Sequence, residues 1–135
     1  MVLPRILIAD EDATHRKLVT LLAQKAGYGA DSVSRCEDAI EAARSGRYSL
    51  VLVDLGVPRR TDGLRCIRDL RAIAQQQGRF VPVIALTAHA MPDDRQLCLS
   101  GGADDYLSKP FTSHQLNDLL GHWIKESQGP YRKVS

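Results

Sequence analysis

Leu50-Val51-Leu52-Val53 is a run of four apolar residues that ends abruptly in a carboxylate, Asp54. A run that short and that apolar reads as a strand buried on both faces. An acid at its end is not there for packing. Three further short segments end in polar groups in the same way. Residues 5–9 are followed by Asp10 and Glu11, residues 81–86 by Thr87, and residues 106–108 by Lys109. Three acids, a hydroxyl and an ammonium share one chemistry when they meet. Clustered carboxylates repel unless a cation joins them. Mg²⁺ takes oxygen ligands, keeps several waters, and commonly meets one or two carboxylates plus a phosphate. The expected ligands are Asp10, Glu11, Asp54 and the backbone carbonyl of Gly56, where the loop after the strand turns back. Lys109 adds a fixed positive charge, of order 4 kcal/mol at about 4 Å and an effective dielectric of about 20, before desolvation. Metal and ammonium together would stabilise the oxygens of a transferring phosphoryl group. Asp54 is then the nucleophile, giving an aspartyl phosphate. Thr87 can donate a hydrogen bond to a phosphoryl oxygen, and Ala88 beside it leaves the site open.

These groups meet only if the elements carrying them lie side by side. Residues 5–9, 29–33, 50–53, 81–86 and 106–108 read as five strands, the second polar enough for a sheet edge. Five helices alternate with them. Asp12 is the expected N-cap of the first, which shows Leu18, Leu21 and Leu22 at helical spacing and ends at Gly27. Ser34 is expected to cap the second, with Ala39, Ile40 and Ala43 inward and Gly46 closing it. The third runs from Gly63 to about Gln76, with Leu64, Ile67, Leu70 and Ala74 on one face and Arg65, Arg68 and Arg71 on the other. Pro92 and Asp93 open a short fourth helix that Gly101-Gly102 ends. The last runs from Ser113 to about Lys125, with Leu116, Leu119, Leu120, Trp123 and Ile124 apolar. This alternation predicts an α/β fold, a doubly wound five-stranded parallel sheet in the order 2-1-3-4-5 with helices on both faces. Such sheets bind ligands at the carboxyl ends of their strands, which is where all five polar groups fall.

A length of 135 residues suits one domain, expected over residues 1–126, with a polar tail or linker over 127–135 around Gly129-Pro130. The net charge of +2 is too small to argue for direct nucleic-acid binding. No apolar run reaches about 18 residues, so no membrane span is expected. The first residues, Met1-Val2-Leu3-Pro4-Arg5, lack the apolar stretch of a signal peptide, and a cytoplasmic location is expected. Cys36, Cys66 and Cys98 are odd in number and widely spaced, which fits neither a disulfide framework nor a CxxC metal site. Buried free thiols are the expectation. His15, His89, His114 and His122 show no ligand spacing and are assigned surface or structural roles.

The chain resembles the receiver domain of two-component response regulators over about residues 5–125. The matching stretches are Ile6-Leu7-Ile8-Ala9-Asp10-Glu11, Leu52-Val53-Asp54 through Pro58 to Asp62-Gly63, Ile84 to Met91, and Gly102-Ala103-Asp104-Asp105-Tyr106-Leu107-Ser108-Lys109-Pro110-Phe111. The stretches Thr87 to Met91 and Asp104 to Phe111 are most similar to receivers of hybrid sensor histidine kinases. The resemblance implies that Asp54 receives a phosphoryl group from a phosphohistidine on a histidine kinase or histidine phosphotransfer protein. It implies that Asp10 and Glu11 are the acidic pair that binds Mg²⁺, and that Thr87 and Lys109 sense and hold the phosphoryl group. Tyr106 matches the aromatic that changes rotamer as the threonine moves. The implied output is a population shift in the face built from the fourth helix, fifth strand and last helix, which could also pair two copies. No conventional enzyme is implied, only catalysis of the chain's own Asp54 phosphorylation and slow dephosphorylation.

The sequence departs from the family at three points. Glu11 stands where Asp is usual, Val57 where Met precedes Pro58, and Arg59-Arg60-Thr61 is one residue longer than usual. Other functions fit less well. A flavodoxin needs a hydroxyl- and glycine-rich phosphate loop after the first strand, where Asp10-Glu11-Asp12 would repel phosphate. A P-loop hydrolase needs GxxxxGK[ST], which is absent. A haloacid-dehalogenase-like phosphatase needs a second Asp two residues after the nucleophile, and Gly56 is there. The remaining alternative is a non-phosphorylated pseudo-receiver acting as a docking module.

Overall fold

The computed structural model describes residues 3–55, 60–88, 96 and 99–128, with the backbone alone at 60 and 61. Strands β1 (Arg5–Ala9), β2 (Gly29–Val33), β3 (Leu50–Asp54), β4 (Val83–Thr87) and β5 (Asp105–Ser108) form one parallel sheet in the order β2-β1-β3-β4-β5. Four helices lie among the described residues: α1 (Ala13–Lys25), α2 (Cys36–Ala43), α3 (Arg60–Gln76) and α4 (Ser113–Ser127). The helix expected to open at Pro92 and Asp93 falls largely outside the described residues, as do the tail from 129 onward, His89 and Cys98. The expected fold class and strand order are the observed ones.

The strands β1, β3 and β4 are apolar along nearly their whole length because both faces of the sheet are covered there. Ile6, Ile8, Leu50, Leu52, Ile84 and Leu86 face Val19 and Ala23 of α1 and Leu116, Leu120 and Ile124 of α4. Leu7, Ala9, Val51, Val53, Val83 and Ala85 face Ala39 of α2 and Ile67, Leu70 and Ala74 of α3. β2 lies at the edge and is the more polar strand, as expected. A capping box starts α4, in which the Gln115 N–H donates to Thr112 Oγ1 at 3.0 Å and the Thr112 N–H to Gln115 Oε1 at 2.8 Å.

Several local expectations are corrected. α1 buries Val19 and Ala23, whereas Leu18 and Leu21 are 51% and 46% exposed. Leucines at 18, 21 and 22 and residues at 19, 22 and 23 both satisfy helical spacing, and the faces differ by one 100° step. α2 has Arg35 as its N-cap, not Ser34, and no side chain closes that end. α3 starts at Arg60, so Arg60 and Thr61 belong to the helix rather than to a loop before it. Arg71 is not on a purely solvated face. Its guanidinium holds Asp104 at 2.8 Å, and Asp104 also accepts the Val83 N–H at 2.8 Å, tying α3 to the start of β4.

The cysteine expectation fails as well. Cys36 and Cys66 form a disulfide between α2 and α3, with Cα atoms 5.7 Å apart and a sequence separation of 30. Two helices packed on the same sheet face bring together residues whose spacing carries no sign of it. Gly63 allows the close approach of α3 to the sheet. A Cβ there would lie 2.6 Å from Leu55 Cδ2 and 3.0 Å from Leu55 Cα. The Asp62-Gly63 pair thus sets α3 against the residue immediately after Asp54.

Candidate functional site

The strand register aligns the polar ends. Ala9 pairs with Val53, Asp54 with Leu86, and Thr87 with Ser108. Asp10, Asp54, Thr87 and Lys109 therefore emerge from four adjacent strands at their carboxyl ends. Asp10, Asp54 and Thr87 are the only buried polar residues among those described, at 2%, 6% and 1% exposure. Burying such groups is costly unless each is paired.

Each is held by its neighbours. The Asp10 N–H donates to the Val33 carbonyl at 3.0 Å, and Arg16 donates to the Asp10 carbonyl at 2.7 Å. Asp10 Oδ1 accepts the Asp12 N–H at 2.9 Å, and Oδ2 contacts His15 Nδ1. Asp12 caps α1 by accepting the N–H groups of Thr14 at 2.9 Å and His15 at 3.2 Å. The His15 N–H, with that of Thr14, holds the Asp12 carboxyl below the usual carboxylate range. Lys109 is anchored twice. Its N–H donates to the Thr87 carbonyl at 2.7 Å, and its ammonium contacts Asp54 Oδ2. The short β5 strand thus delivers the cation directly onto the candidate nucleophile.

A cleft of about 440 Å³ opens beside these groups, lined by Asp10, Glu11, Asp54, Asp62 and the Cys36–Cys66 pair. Among the described residues, one ligand atom from each of Asp10, His15 and Asp54 lies within 4.8 Å of the others. Two buried carboxylates converging on an open cleft fit a hard divalent cation. Glu11 lines the cleft but is exposed and is not in this group. The Gly56 carbonyl, the fourth expected ligand, lies outside the described residues. Tyr106 is half-buried on β5 and packs against the core on the α2–α3 face.

Sequence reasoning missed His15. It looked for histidines spaced to act together, whereas His15 acts with acids on other elements. A usable signal existed. With Asp12 as N-cap, His15 is the third residue of a helix that starts beside Asp10. Side chains of a first turn tilt back toward the helix start, and so toward the strand end.

Comparisons with known proteins identify the family and the fold. A family model described as "Response regulator receiver domain" matches residues 6–121. The chain is 39% identical over 113 residues to the transcriptional regulatory protein BasR of Escherichia coli K12, covering 84% of this chain and 49% of that protein. It is 33% identical over 121 residues to the sensor protein GacS of Pseudomonas syringae pv. syringae, covering 89% of this chain and 13% of GacS. The chain thus spans half or less of these relatives. Among solved structures it is similar to the receiver domain of a sensor histidine kinase from Pseudomonas aeruginosa PAO1, whose active site cleft coordinates a magnesium ion. That likeness has a TM-score of 0.78 and 33% identity, and covers 90% of this chain and 98% of the other. The chemotaxis protein CheY4 of Vibrio cholerae shares the fold at a TM-score of 0.80 and 25% identity, covering 90% of this chain and 98% of that one.

Proposed function

Because this chain belongs to the response-regulator receiver family, we propose that Asp54 is a phosphoacceptor, taking a phosphoryl group from a partner phosphohistidine in a Mg²⁺-dependent reaction. The partner would be a histidine kinase or a histidine phosphotransfer protein, the class to which the receiver-bearing relatives point. The observation that carries the reading is the buried Asp54 carboxylate in contact with Lys109, with Asp10 beside it and an open cleft in front.

The chain's own residues divide the work. An Asp54 carboxylate oxygen attacks phosphorus, the P–N bond to the partner imidazole breaks, and its electron pair stays on the nitrogen. Lys109 stays within reach of the negative oxygens that shift during transfer. Thr87 offers a hydroxyl at the neighbouring strand end. Mg²⁺, held by Asp10 and Asp54 with Glu11 and the Gly56 carbonyl as further expected ligands, would neutralise charge on the phosphoryl oxygens.

Thr87 and Tyr106 form the expected switch, and its output is the face built from the helix expected after Pro92, β5 and α4. That face could also pair two copies of the chain. No direct contact with nucleic acid is part of the reading, and no described helix is long and apolar enough to cross a membrane. A cytoplasmic receiver over residues 1–126 with a tail from 127 to 135 completes it. The position of Glu11 outside the ligand group favours the second reading, a pseudo-receiver that docks without phosphorylation. Incubation with acetyl phosphate and Mg²⁺ followed by intact mass separates the two. A single added phosphoryl group, absent in Asp54→Ala, supports the phosphoacceptor.

A further inference from the structure

His15 has no part in the reaction above, yet its ring reaches both buried acids. Nδ1 contacts Asp10 Oδ2 and lies 3.6 Å from Asp54 Oδ2. The ring is not a loose surface group. Its side chain is 20% exposed, its backbone N–H is held by the Asp12 cap at 3.2 Å, and its edge meets Phe111 with centroids 6.0 Å apart. Meanwhile Glu11, the acid expected beside Asp10, is exposed. Among the described residues, the donors gathered at one point are therefore two oxygens and one nitrogen.

That donor set matters for the choice of ion. Mg²⁺ is hard, prefers oxygen and gains little from imidazole. Divalent first-row transition ions gain more from nitrogen, increasingly along the series from Mn²⁺ toward Cu²⁺. A site built from carboxylates alone discriminates weakly between the two kinds. Exchanging one carboxylate for an imidazole tilts it toward the transition ions.

We propose that His15 is a metal ligand of the Asp54 site through Nδ1, and that the site prefers a borderline divalent transition cation over Mg²⁺ because of it. The inference rests on the reading that Asp10 and Asp54 bind a divalent cation, and it adds a ligand and a selectivity to that reading. Asp10 Oδ2, Asp54 Oδ2 and Nδ1 would hold the ion, leaving the cleft side for water or phosphoryl oxygens.

The test is titration calorimetry on untagged full-length chain with Mg²⁺ and with Co²⁺. Only the Co²⁺ heat competed away by excess Mg²⁺ is counted, which sets aside binding at the exposed His114. Wild type should bind Co²⁺ the more tightly. His15→Asn should weaken Co²⁺ about tenfold or more while changing Mg²⁺ less than about twofold. The Co²⁺ visible spectrum should shift with the loss of a nitrogen ligand. His15→Gln repeats the comparison should the first variant fold poorly, with far-UV circular dichroism as the check. Equal changes for both ions, or none, overturn the role of His15 and leave the Mg²⁺ reading standing. A wild type that binds neither Co²⁺ nor Mg²⁺ overturns both.

Discussion

Two carboxylates on the same sheet meet cations in different ways. Asp31, on the edge strand β2, is paired by two neighbours. Arg5 Nη2 lies 3.0 Å from each of its oxygens, and the Tyr48 hydroxyl donates to it at 2.8 Å. The Tyr48 hydrogen bond, followed by Arg5, holds its carboxyl below the usual range. Asp54 sits at the centre of the sheet with Lys109 on it, but Asp10 and His15 crowd the same point and a cleft opens beside them. Asp31 joins one acid to an arginine and a phenol, and fastens the starts of β1 and β3 to the edge. The Asp54 group joins two buried acids to one ammonium, an arrangement that an added cation and a phosphoryl group would complete. Charge pairing alone does not mark a functional site. An excess of like charge, buried and facing open space, does.

The largest effect expected from this contrast is at Lys109. Lys109→Ala should slow Asp54 phosphorylation by acetyl phosphate about 10²–10³-fold, the usual loss for a group that stabilises developing charge. Mass-spectrometric time courses measure it, and a change under about threefold would erase the distinction between the two sites. Gly63→Ala should come next. The added Cβ meets Leu55 beside Asp54, and overpacking of this kind costs about 1–3 kcal/mol. Urea unfolding reads the cost, and an unchanged midpoint would mean that α3 can back away freely.

Tyr48→Phe should have the smallest effect and should leave the phosphorylation rate unchanged. It removes one hydrogen bond from a half-exposed carboxylate, worth about 1 kcal/mol after allowance for solvent. Because Asp31 is held below its usual value, this contribution is full above the unfolded carboxyl range near pH 4. It fades as pH falls through the lower folded value. Burial, then Asp31, pushes Tyr48 up, so the same contribution is also present below about pH 10 and fades as pH rises beyond it. A stability gap between wild type and Tyr48→Phe that grows on acidification would contradict this assignment.

The sheet and most of the site were legible because their signals are local. A strand buried on both faces is a short apolar run, and the residue ending it can be read directly. Four such endings in a parallel sheet fall at one end of it, so Asp10, Asp54, Thr87 and Lys109 come together on the sequence alone. What escaped depends on contacts between elements. The phase of α1 decides that Val19 is buried and Leu18 is not. The packing of α2 on α3 brings Cys36 to Cys66, and that of α3 on the sheet brings Arg71 to Asp104. His15 belongs to the same class, since its partners lie at the ends of β1 and β3 rather than at helical spacing.

The most direct measurement is intact mass after incubation with acetyl phosphate and saturating Mg²⁺, for wild type and Asp54→Ala. The account predicts one added phosphoryl group on the wild type and none on the variant. An unmodified wild type, or an adduct that survives Asp54→Ala, would contradict it.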